Sequence, residues 1–554
     1  MNGGKVSKVY PDNISQCQKY QICEKDLTSH SLMRSIFGLR VSSMLYLRRE
    51  LAQWPLIDAQ KLELELTTTN DSINKSVTTS GNYKYFIKNA AFENTTLNNH
   101  GGSVRFSSPL KYDVFLNNSV FRNSSGQYGG SLYIDYVRYG SFDNLTFQNC
   151  YASNEGGAIY SASQAMNSIN NSYFINCSSL GDGGSIRSNA EAYRIESSFF
   201  YNSSSIKGNG GSLYLYNSFS VLDCQFITCF SYVKGGAIYI GDSNGQILNL
   251  IDLVFYNCCS IQQGGAIYFE NGALIQMSRI CFQNCQVLSS TIQGNCCYLK
   301  LHSAYSTYLI SLEFMSVVAC GKTGYGNGLL YLYNGEHIII NNNYSMCYGY
   351  SNSVFCNSPR LSNNIQYSTI SKCLSTQTGS PCIYIQTLTG SHFSSISFCN
   401  IIENSAPLSI FHMINYGPQA IFQYMVFKGN NGTQYGCIYA NSNYISVLNS
   451  VSFGNIGGTA TVNGALGHYN YVSFHAITTS NAPTYTLTFY STIYCETFEL
   501  QMPLEEPCQT IPSFIYPPTP TQCKIYSENN PLLSLNIGSV IHAINPFTYL
   551  IFFD

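Results

Sequence analysis

GGSLYL (210–215), GGAIYI (235–240) and GGAIYF (264–269) are copies of one phrase, preceded by GGSLYI (129–134) and GGAIYS (156–161). Between the copies runs a second phrase: FRNSS (121–125), FQNC (147–150), FINCSS (174–179), FYNCC (255–259) and FQNC (282–285). The two return together about every 27 residues. A fixed period of this size means a fold that grows by stacking one unit on the next. Function then lies on the long faces of the stack.

Two ladders trace the period independently. The anchor of F-x-N runs Phe92, Phe121, Phe147, Phe174, Phe200, Phe226, Phe255, Phe282, Phe314, Tyr344, Ile370, Phe398, Phe427 and Phe453. The third residue after the glycine pair runs Arg105, Tyr133, Tyr160, Arg187, Tyr214, Tyr239, Tyr268, Tyr298, Tyr331, Phe355, Tyr384, Phe411, Tyr439 and Gly467. Successive members are 24 to 33 residues apart. The unit is too short for a propeller blade and lacks the helical period of ankyrin or tetratricopeptide repeats. It suits a coil of three short strands, stacked as a parallel β-helix at ~4.8 Å per step. About 14 such coils predict a rod of roughly 65 Å.

The residue choices fit an all-β chain. In GGAIYI the period-2 rule sends Ile238 and Ile240 inward and Tyr239 outward. The glycines supply a corner conformation that other residues avoid. The Asn after each anchor suits a left-handed turn and can hydrogen-bond its equivalents above and below.

The repeat domain is expected at 71–490. Residues 1–70 read as an N-terminal cap region, with helical spacing over 31–54, or as an atypical first coil. After the repeats, 491–554 read as a Cys/Pro-rich stalk and an apolar tail. The run IGSVIHAINPFTYLIFF (537–553) is marginal as a spanning helix, so it reads either as a C-terminal membrane association or as an apolar cap.

Only 10% of residues are charged and the net charge is −2, which disfavours nucleic acid and anionic membrane as partners. No signal peptide is visible at the N-terminus. The twelve N-x-[ST] sequons point towards export, although an Asn- and Ser-rich repeat generates many of them by composition.

The alternating GGA[ILV] and F-x-N phrases over about residues 85–470 resemble the repeats of chlamydial-type polymorphic membrane proteins and of large protist surface-protein families. That resemblance implies a right-handed parallel β-helix of the pectin-lyase-like kind and an adhesin-like protein, on the cell surface or secreted. The Asn here follows Phe by two positions instead of three, and no set of C-terminal barrel strands follows, so an autotransporter route is not implied.

Pectin-lyase-like folds also carry polysaccharide lyases and glycoside hydrolases. Hydrolysis needs a carboxylate pair at a set separation. No Asp-Asp pair occurs, and the motif set of polygalacturonases is missing. Asp223, Asp242 and Asp252 are the nearest candidates and read more simply as turn acids. Arg105 and Arg187 show no evident acidic partner in the sequence. The histidines (His100, His302, His337, His392, His412 and His468 among them) recur without a partner. No catalytic residue, cofactor or metal is therefore assigned.

Seven cysteines follow the anchor by three positions: Cys150, Cys177, Cys229, Cys258, Cys285, Cys347 and Cys373. Cys150–Cys177 and Cys347–Cys373 are candidate disulfides between adjacent coils; the alternative is free thiols packed as small apolar groups. The candidate ligand-binding residues are the outward tyrosines Tyr133, Tyr160, Tyr214, Tyr239, Tyr268, Tyr298, Tyr331, Tyr384 and Tyr439. Their rings either brace neighbouring coils or offer flat faces to a glycan or protein ligand on a cell surface.

Overall fold

The computed structural model describes residues 84–474, apart from 98–99, 107–111, 163–165, 191, 217, 242–246, 290–292, 303–307, 387–393, 415–419, 441–444, 454, 458–461 and 464–467. The expected cap region (1–70) and the stalk and apolar tail (491–554) lie outside the described residues. Among the described residues there is no helix, hence none long and apolar enough to cross a membrane, and the named strands pair in parallel. The molecule is a parallel β-solenoid.

One turn shows how it is built. The chain runs along Ile247–Tyr256, turns at Asn257, makes the short strand Cys259–Ser260, turns at Gly264–Gly265 and returns along Ile267–Gly272. Each piece then meets its own repeat in register: Phe255 pairs with Phe282, Cys259 with Gln286, and Tyr268 with Tyr298. Among the described residues the Gly-Gly sheet counts fourteen strands, and the short sheet is split into runs of seven and five.

The glycine pair has two separate causes. Gly235 sits at φ 66°, a left-handed corner. Gly236 does not; a Cβ there would lie 1.9 Å from the carbonyl oxygen of Gly265 on the next coil. The first glycine answers to backbone angle and the second to the close approach of stacked coils.

The F-x-N phrase is explained as directly. Asn94, Asn123, Asn149, Asn176 and Asn202 all have φ between 51° and 55°. Their side chains form a chain of amide hydrogen bonds up the corner, each Nδ2 donating to the Oδ1 one coil back at 2.9–3.1 Å. The phenylalanines fill the interior. From Phe92 to Phe282 eight rings stack at 4.7–5.0 Å with interplanar angles of 10° or less. Burying each is worth about 1.5–3 kcal/mol.

Three expected anchors are corrected by the register. Val317, Ile401 and Ser452 occupy the anchor positions expected for Phe314, Phe398 and Phe453. Phe314 and Phe398 instead stand three residues earlier, at a left-handed corner that holds Asn118, Asn144 and Asn171 in the first coils. Phe398 stacks there between Tyr367 and Tyr424, at 5.0 and 4.8 Å.

One seam interrupts the stack. Asn295 takes the place of the second glycine, and Gly328 of the next coil is followed directly by Leu329, in register with Cys296. That coil therefore has no second-glycine carbonyl to obstruct Asn295, whose buried amide reaches Val287 N (3.3 Å) and Tyr348 O (3.4 Å). The seven-stranded run of the short sheet ends here at Gln286–Val287, and the five-stranded run begins at Tyr348–Gly349.

Candidate functional site

The outward row of the Gly-Gly sheet is built by strand parity. In Leu132–Ile134, Ile159–Ser161 and Ile238–Ile240 the central Tyr133, Tyr160 and Tyr239 lie between two buried neighbours and are themselves half-exposed. Tyr133 and Tyr160 stack at 5.5 Å, and Tyr214, Tyr239, Tyr268, Tyr298 and Tyr331 continue at 4.8–5.1 Å with angles of 17° or less. Arg187 fills the gap in the row, its guanidinium 5.0 Å from the Tyr160 ring and 5.6 Å from the Tyr214 ring. Arg105 caps the lower end over Tyr133 at 5.6 Å.

Beyond Tyr331 the expected membership is corrected. Phe355 and Phe411 are buried and point inward, while Cys356 and His412 hold the row positions in register with Tyr331, Tyr384 and Tyr439. Asn463 holds the position expected for Gly467, which lies outside the described residues. His412 contacts Tyr384 edge-on at 5.4 Å and Tyr439 at 4.7 Å.

This geometry alters what the row can offer a ligand. Stacked rings cover one another's faces, so a ligand meets ring edges and hydroxyls instead of flat surfaces. Tyr268 is 1% exposed. The expectation of open ring faces is not met.

Charged side chains flank the row at two fixed offsets. The residue before the glycine pair reaches the row residue of the following coil. His100 stacks on Tyr133 at 4.5 Å, Glu155 comes within 3.2 Å of Arg187 Nε, and Lys234 Nζ donates to Tyr268 Oη at 2.9 Å. The residue two after the tyrosine lies on the other flank. The Tyr268 hydroxyl donates to Glu270, which also pairs with Lys300 at 2.7 Å, and Tyr384 Oη donates to Gln386 at 2.8 Å.

Arg187 therefore has the acidic partner that the sequence did not reveal, with Asp182 adding a weaker attraction. Arg105 likewise has Asp135 in its field. Burial pushes the Glu155, Asp182 and Asp135 carboxyls above the usual range, and the guanidiniums offset only part of that. Burial also pushes Glu270 upwards, but hydrogen bonds from Lys300 and Tyr268 outweigh it and its pKa lies below the usual value. These flanking residues were missed because the reading followed the motifs and not the positions beside them.

Comparison of the chain with family models, curated proteins and solved structures found no match. The site must therefore be read from its own geometry.

The carboxylates singled out in the sequence do not converge. Asp223 and Asp252 stand exposed at left-handed corners; Asp223 accepts from Ser197 at 2.9 Å, and Asp252 is held by both guanidinium arms of Arg279 at 2.6 and 2.7 Å. Asp242 lies outside the described residues. His337 belongs to the interior, its Nε2 2.7 Å from Asn334 O and its Nδ1 against Asn357.

The cysteines form an interior column. Cys150, Cys177, Cys347 and Cys373 are buried free thiols, so the two candidate disulfides are absent from the structure. In-register parallel strands hold the two Cβ atoms side by side at about the 4.8 Å strand spacing, not the ~3.8 Å of a bridge. Each thiol instead faces backbone carbonyls, as Cys347 Sγ does those of Ser345 (3.2 Å) and Val317 (3.4 Å). The register adds Cys320 to the column, and Asn404, Asn430 and Asn455 continue it as buried amides bonded to one another at 2.9–3.1 Å.

Proposed function

We propose that this chain is a non-enzymatic, adhesin-like protein, exposed on the cell surface or secreted, that holds a glycan or protein ligand of a cell surface along the tyrosine row. The observation that carries this reading is the row itself. Half-exposed tyrosine edges and hydroxyls at Tyr133, Tyr160, Tyr239, Tyr331, Tyr384 and Tyr439 recur along one face between flanks of charged and amide groups, so an extended ligand would meet polar groups at several steps. Low net charge suits adhesion through such contacts. The resemblance of the repeats to polymorphic membrane proteins supports the surface assignment and is the basis for a right-handed, pectin-lyase-like coil.

A second reading, a purely structural rod, is favoured by one observation: the ring faces are engaged with each other. Tyr→Phe substitutions separate the two. Replacing Tyr133, Tyr160, Tyr239 and Tyr331 with Phe keeps the stack and removes hydroxyls from half-exposed positions. On arrays of immobilised glycans and cell-surface proteins, the full-length chain binds saturably and the fourfold variant binds at least about tenfold more weakly, a loss of about 1.4 kcal/mol. No saturable binding by the parent chain supports the rod.

A further inference from the structure

The third residue of the Gly-Gly phrase and the column residue of the following coil face each other in the interior. Ser131 Oγ donates to Cys150 Sγ at 3.0 Å, the Ser185 and Ser203 hydroxyls lie 2.7 Å apart, and Ser212 Oγ donates to Cys229 Sγ at 2.9 Å. Side chains at these two positions converge, whereas neighbours within the column run parallel.

At the seam both positions are cysteine. Cys296 takes the Gly-Gly position: Ala266 N donates to Cys296 O at 2.8 Å, as Ala237 N does to Ala266 O at 2.9 Å. Cys320 takes the column position: Gly321 N donates to Cys285 O at 2.8 Å, as Gln286 N does to Cys258 O at 3.1 Å. Both are fully buried thiols in the structure. Among the described coils this is the one whose third residue and the next coil's column residue are both cysteine. It is also the coil where the short sheet breaks, followed by a loop in which Gly321, Gly324 and Gly326 all hold left-handed angles.

We propose that Cys296 and Cys320 are a redox-dependent brace, joined as a disulfide when the chain folds in an oxidising compartment. The oxidant is a small-molecule disulfide such as oxidised glutathione. One cysteine thiolate attacks it, forming a mixed disulfide and releasing one glutathione thiolate. The second cysteine thiolate then displaces the other glutathione, leaving the Cys296–Cys320 bond. Two electrons pass to the oxidant, and the two protons lost by the cysteines end on the two glutathione thiols. In the finished fold burial holds both thiol pKa values up and seals them from solvent, so the bond forms before the coil closes.

The test folds the full-length chain in a glutathione redox buffer and, separately, under a phosphine reductant. Each sample is denatured with an alkylating agent and digested without reduction. The expected result is a linked peptide pair joining Cys296 to Cys320, two hydrogens lighter than the sum of its parts, in the oxidised sample only, distinct from the linked peptides of the disulfide-bonded Cys259 and Cys281. Cys320→Ser is expected to fold, since Ser124 and Ser203 already occupy column positions, and to lose the linked pair. Cys296→Ala is the second variant, because Ala266 occupies its position in the preceding coil, and it loses the pair as well. Full alkylation of both cysteines after oxidative folding would overturn the proposal. So would a bond from Cys320 to Cys285, whose backbone N lies 3.3 Å from Cys320 Sγ.

Discussion

Glu155 Oε2 lies 3.2 Å from Nε of Arg187 on the following coil, beside a guanidinium inserted between the Tyr160 and Tyr214 rings. One residue thus serves two neighbours, continuing the aromatic stack and neutralising a half-buried carboxylate. Arg187→Tyr would complete the stack but leave Glu155 without its cation. Burial already raises the Glu155 pKa, and losing Arg187 raises it further. A carboxyl raised in the fold contributes stability below its unfolded pKa and loses it as pH rises through the folded value. The variant should therefore melt below the parent at pH 8, with the gap narrowing by pH 5. Calorimetric melts at both pH values check this.

Interior phenylalanines and outward tyrosines should differ in cost. Phe226→Ala opens a cavity in a fully buried stack and should cost about 3–5 kcal/mol. Tyr239→Ala removes a half-exposed ring and should cost less, about 1–2 kcal/mol including its stacking. Urea unfolding of the two variants gives the order.

Gly236→Ala sets a Cβ against the Gly265 carbonyl at 1.9 Å and should force the coils apart. Gly324→Ala meets nothing within 4 Å and carries only the penalty of its φ of 81°, about 1–2 kcal/mol. Limited proteolysis should therefore cut the first variant within the repeats, while the second keeps the parent pattern.

Acid should loosen the upper coils. Burial lowers the pKa of both His337 and His412 to about 4, so both stay neutral in the fold. The unfolded chain binds those protons near pH 6.5. The stability contributed by neutral histidine is complete above that value and is lost as pH falls towards 4. For fully buried His337 the loss is on the order of 3 kcal/mol. His412→Phe keeps an aromatic ring in the row and should reduce the fall in melting temperature between pH 7 and pH 4.5.

The fold was legible because its corners are sterically demanding. Gly235 and Gly236 leave little choice of residue, and Asn149 or Asn176 marks the left-handed turn. Parity then placed Ile238 and Tyr239 correctly. The sequence is ambiguous where those markers lapse. At Phe314 and Phe398 an aromatic residue occupies the left-handed corner, and it was mistaken for the anchor three residues later. That slip also hid Cys320 from the cysteine column. At Phe355 and Phe411 no glycine pair sets the phase, so the sequence does not distinguish the inward aromatic from the outward position. The flanks of the row, Glu155, Lys234 and Glu270, carry no motif of their own. They become visible only when positions at fixed offsets are compared across coils.

We propose that this solenoid is presented outside the cell and adheres through its tyrosine row. Protease treatment of intact cells expressing the tagged full-length chain tests the first half directly, with permeabilised cells proving that the repeats can be cut. Cleavage on intact cells is the predicted result. Protection on intact cells, with cleavage after permeabilisation, would contradict surface exposure and leave a rod inside the cell.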